Sequence, residues 1–96
     1  MMHEKAIKII EEYIAQIEEP NFHYNSLYFK QLSFSKAAAY AIIDYIEKRK
    51  DVSVVVATEE FMHKMDEYAC MNSRNSYVFS VMHDVAEYFL DVFITM

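Results

Sequence analysis

The chain has 96 residues, of which 54% are hydrophobic and 16% aromatic, and it carries fifteen acidic groups against nine basic ones for a formal charge of −6. It has no glycine, one proline (Pro20) and one cysteine (Cys70). These numbers exclude a good deal. A net acidic chain with scattered cations is a poor partner for nucleic acid, whose phosphates are bound by basic patches that release counterions, and for an anionic membrane surface. One cysteine cannot build a disulfide framework or a multi-cysteine metal site. Glycine supplies the positive-φ conformations of tight hairpins, dinucleotide fingerprints and phosphate-cradling loops, so its absence points to helices joined by short turns. The length fits a single domain spanning residues 1–96.

The first predicted helix covers residues 2–19. Ala6, Ile10, Tyr13, Ile14 and Ile17 recur mainly at three- and four-residue steps, the stripe of an amphipathic helix. Pro20 ends it, because a residue before proline is pushed out of the α region. The N-terminal residues have acids where a secretory leader needs apolar continuity, so a cytoplasmic protein is expected.

An irregular connector follows, PNFHYNSLYFKQLSFS, in which residues 27–32 can form a short helix. Phe22, Tyr24, Tyr28 and Phe29 exceed what a loop requires. Aromatics are enriched at interface hot spots, and these four are the first partner-binding candidates. Ser33 or Ser35 is then placed as the cap of a second main helix running to residue 49. Its alanines, Ala37 to Ala39 and Ala41, make it slim enough for a close neighbour. Asp44 is expected to pair with Lys48, and the Lys48-Arg49-Lys50 run sits where cations complement a helix C-terminus.

Asp51 is read as the next cap. Three consecutive valines, Val54 to Val56, favour a strand by propensity. Periodicity argues otherwise: Val54, Thr58, Phe61, Met65 and Tyr68 step by four, three, four and three, and Val55, Met62 and Ala69 continue beside them. The third helix is therefore placed at residues 53–71. A turn at 72–76 leads into the fourth, residues 75–95. On this last helix Ser80, Asp84, Glu87 and Asp91 fall within about 60° of one another, with His83 beside them. Nearly everything else is apolar. No uncharged run reaches the roughly 20 residues of a membrane span. A helix wetted along one narrow stripe belongs at the centre of the fold or between two chains, and Leu90 and Phe93 are the candidates for an interface. The fold expected is all-α, a four-helix antiparallel bundle with an aromatic-rich connector between helices 1 and 2.

Candidate chemistry gathers only on helices 3 and 4. Glu59, Glu60 and His63 on one, with Asp84 and Glu87 on the other, are the candidate metal ligands. Facing each other, such carboxylates could hold Mg²⁺ or Mn²⁺, which favour oxygen donors. The strings Glu59-Glu60-x-x-His63 and Asp84-x-x-Glu87 resemble in part the motifs of all-α nucleoside triphosphate pyrophosphohydrolases, which carry Glu-Glu-x-x-Glu on one helix and Glu-x-x-Asp on the next. Both strings depart from that pattern, and cations for phosphate are missing nearby. The resemblance implies a metal-dependent hydrolase as the alternative function. Cys70 lies two turns from His63 among acids, the wrong setting for a thiolate nucleophile. With no complete catalytic set, the sequence points first to a non-enzymatic protein-interaction or regulatory domain, without cofactor, that pairs with a second copy or another protein.

Overall fold

The structure is a computed structural model that describes the backbone of residues 2–17 and 26–96 and the side chains of residues 2–17 and 32–96. Among the described residues there are four helices and no strand: α1 (Met2–Ile17), α2 (Ser26–Lys48), α3 (Val54–Met71) and α4 (Ser76–Ile94). None is long and apolar enough to cross a membrane. The valine run lies in the first turn of α3, so the four-three periodicity outweighs β-propensity there.

Two local expectations are corrected. Ser33 and Ser35 do not cap a helix; α2 runs unbroken from Ser26, since no proline or glycine interrupts it, and Ser35 is buried within it. Asp51 is not the cap of α3 either. Ser53 is, with extended backbone and its Oγ accepting from the Val56 N–H at 3.2 Å. Asp51 turns instead to Arg49, whose Nε donates to its carboxylate at 3.1 Å. Asp44 and Lys48 form the expected ion pair at 2.9 Å. At the other end of α3, Asn75 precedes α4 without a side-chain capping bond.

The most extensive packing joins α3 to α4; α4 also packs on α2, and α1 on α2. α1 and α3 bury most of the stripes their spacing dictates, although Tyr68 at the end of the α3 stripe is exposed. Ala6, Ile10 and Ile14 come from α1, and Val54, Ala57, Phe61 and Met65 from α3. From α2 come Ala38, Ala39, Ile42 and Ile46. The two alanines are fully buried and hold α2 close to its neighbours. At the centre Phe89 is fully buried, stacked on Phe93 at 6.0 Å and met edge-on by Tyr13 at 5.0 Å. Rings in these geometries add about 0.5–1.5 kcal/mol beyond the area they bury. Thr58, also fully buried, satisfies its hydroxyl on the Val54 carbonyl one turn back at 2.7 Å. His3 Nε2 lies 2.8 Å from the Val52 carbonyl and ties the start of α1 to the α2–α3 turn.

Candidate functional site

The polar face of α3 divides between two seams. Toward α2, Glu60 is tied down: the Tyr45 hydroxyl donates to its Oε2 at 2.8 Å, and the Arg49 guanidinium donates to the same oxygen. Arg49 bridges on to Asp51. The hydrogen bond from Arg49, helped by a backbone bond at Asp51 itself, holds the Asp51 carboxyl below its ordinary pKa, and the same bond raises that of Arg49. Lys64, the i+4 neighbour of Glu60, sits over the Tyr45 ring at 5.0 Å. Glu60 is thus spoken for by α2 and is not turned toward α4.

Toward α4 the arrangement is different. His83 is 22% exposed, with Nε2 at 3.4 Å from Asp66 of α3 and Nδ1 at 3.4 Å from Asp84 and 4.0 Å from Glu87. Among the described residues, His83, Asp84 and Glu87 are the one group of three potential ligands whose donor atoms lie within 4.8 Å of one another. Of the five residues read as metal ligands, the structure therefore brings together Asp84 and Glu87. It leaves Glu59, Glu60 and His63 out of any such group and adds His83, with Asp66 facing the opposite nitrogen of its ring. Sequence reasoning set His83 beside the acidic stripe, gave it no partner on α3, and set Glu59, Glu60 and His63 against Asp84 and Glu87. Asp66 lies one turn beyond His63, and only the register of α3 against α4 distinguishes the two.

The partner-binding candidates divide as well. Phe22 and Tyr24 lie outside the described residues, and Tyr28 and Phe29 stand early in α2 with side chains also outside them. Leu90 and Phe93 are buried inside the chain, at 8% and 2% exposure, so their apolar surface is already covered by this chain's own helices. The apolar surface left open on α4 is elsewhere. Tyr77 and Tyr88 are 52% and 55% exposed. They stand eleven residues apart, about three turns, which returns them to within about 20° of the same direction. Phe34 meets Tyr77 edge-on at 6.1 Å, and Tyr13 meets Tyr88 at 5.9 Å. Between them Tyr13, Ser35, Val81, Asp84, Val85 and Tyr88 line an open depression of about 240 Å³. Burial raises the pKa of the Tyr13 hydroxyl, opposed by its hydrogen bond with Ser35 and aided by nearby Tyr88. Cys70 is a free thiol and exposed.

Comparison of the chain with protein-family models, with curated proteins and with solved structures finds no match.

Proposed function

We propose that this chain is a non-enzymatic helical interaction module that pairs with a second copy of itself through the tyrosine face of α4. The observation that carries the reading is the depression rimmed by Tyr13 and Tyr88, continued along α4 to Tyr77 and Phe34. Tyrosine gives large, rigid contact area at low entropic cost and is enriched in the hot spots of interfaces. An isologous pair brings the same patch together twice, so it must tolerate its own charge. This patch carries one carboxylate, Asp84, although the whole chain carries −6. The reading takes residues 1–96 as one domain, an antiparallel bundle, with Phe22 and Tyr24 ahead of α2 and Tyr28 and Phe29 at its start extending the contact surface. A metal-dependent hydrolase finds less support, because Glu60 is engaged by Tyr45 and Arg49.

Sedimentation equilibrium over a range of concentrations tests the reading. The wild-type chain is expected to dimerise, and Tyr77→Asp with Tyr88→Asp to give a monomer of unchanged helicity, both side chains being more than half exposed. A wild-type monomer at every concentration, or a dimer indifferent to both substitutions, overturns it.

A further inference from the structure

The group around His83 differs from a solvated acidic patch in its chemistry and its placement. It mixes one imidazole with carboxylates, the donor set of Zn²⁺ and related borderline divalent ions rather than of Mg²⁺. The imidazole is held between two helices while Asp84 and Glu87 are 77% and 59% exposed, so the nitrogen is positioned and the carboxylates are open to solvent. Among the described residues, His83 is the only basic side chain paired with Asp66, Asp84 or Glu87. Even a protonated imidazole would leave three carboxylates short of two positive charges.

The distances suit an ion. Two donors bound at zinc's usual bond lengths of about 2.0–2.1 Å in a tetrahedron stand about 3.4 Å apart. His83 Nδ1 and Asp84 are separated by 3.4 Å, and Nδ1 and Glu87, one turn on, by 4.0 Å. The opposite ring nitrogen, Nε2, faces Asp66 of α3 at 3.4 Å. With an ion on Nδ1, which now lies within hydrogen-bond reach of Asp84, the proton belongs on Nε2, where Asp66 stands ready to accept it, the arrangement that orients most metal-bound histidines.

We propose that His83 Nδ1, Asp84 and Glu87 bind a single borderline divalent cation of the Zn²⁺ class, with Asp66 as the positioning residue that sets the imidazole tautomer across the α3–α4 seam. The remaining coordination positions belong to water, since three protein ligands leave a zinc site open. The site shares Asp84 with the face proposed for dimerisation, but a monomer can fill it, so the two readings fail separately.

The test is calorimetric titration of the full chain with Zn²⁺ and, separately, Mg²⁺. One saturable Zn²⁺ per chain is expected, with much weaker Mg²⁺ binding and a melting temperature that rises with free Zn²⁺. Asp66→Asn should weaken Zn²⁺ by about 10–100-fold, the usual cost of losing such a partner. His83→Ala and Glu87→Gln should each weaken it by at least about tenfold. Glu87→Gln, on an exposed side chain, carries the result should His83→Ala disturb the helices. The double variant His63→Ala, Cys70→Ser removes the histidine and the cysteine of α3 and should leave the affinity unchanged. Bound Co²⁺ should show ligand-field absorption without a thiolate charge-transfer band. No saturable Zn²⁺ binding overturns the proposal. So does binding that survives both His83→Ala and Glu87→Gln, or that is lost with His63 and Cys70.

Discussion

The two seams of α3 carry the same residue types and resolve them in opposite ways. On the α2 side, one carboxylate, Glu60, receives a phenol and a guanidinium, and that guanidinium goes on to a second carboxylate, Asp51. On the α4 side, three carboxylates meet one imidazole. With Lys64 over the Tyr45 ring, the first seam sets two cations against its two carboxylates, closes its charge within the chain and holds structure together. The second leaves negative charge over, and with it the capacity to take up a cation. A carboxylate's role is decided by which cations the fold delivers to it, and its own spacing along a helix says little about that.

The largest expected effect lies beneath the α2 seam. Phe61 is buried and meets Tyr45 edge-on at 6.1 Å. Phe61→Ala should lower the unfolding free energy by about 3–5 kcal/mol through lost burial and a residual cavity. Urea denaturation measures it, and a loss nearer that of a surface substitution would show that this seam is not anchored in the core. Tyr45→Phe removes only the hydroxyl that donates to Glu60. A loss of about 1 kcal/mol is expected by the same method, the ordinary worth of a partly buried hydrogen bond. Stability unchanged by Tyr45→Phe would mean that Arg49 alone satisfies Glu60, and the contrast between the seams would narrow.

The smallest effect is a pH dependence. A carboxylate whose folded pKa is depressed adds stability above its unfolded pKa and loses it as pH falls through the folded value. Asp51 is depressed by its hydrogen bond from Arg49. The wild-type chain should therefore exceed Asp51→Asn in stability at neutral pH, and the gap should close once the solution is acid enough to protonate Asp51 in the folded state. A gap that persists into acid would assign the difference to packing rather than charge. Asp51 is 67% exposed, so solvent screens the pair and the gap is expected to be small.

Much of the architecture was legible because it is local. The stripe Ala6, Ile10, Ile14 and the alternation through Val54, Thr58, Phe61 and Met65 are buried as their spacing predicts. The wet stripe of α4 was legible for the same reason: Ser80, Asp84, Glu87 and Asp91 are all exposed. Caps were less so. Asp51 and Ser53 are both good capping residues, and Arg49 drawing Asp51 away left the role to Ser53. The start of α2 was misjudged because serine inside a helix looks like serine at its end. Ser35 is interior, and its hydroxyl is occupied by Tyr13 of another helix.

The sequence by itself determined that this protein is built of helices, roughly where three of them begin and end, and that its polar chemistry sits on α3 and α4. Those are consequences of backbone propensity and 3.6-residue periodicity, which act within a few residues. Only the tertiary structure decided that Glu60 belongs to Arg49, that Asp66 rather than His63 faces His83, and that Leu90 and Phe93 lie inside while Tyr77 and Tyr88 remain outside. Each of those outcomes depends on how far one helix is slid and turned against another. A shift of a single turn, about 5.4 Å, exchanges one partner for the next without changing the helical pattern of either.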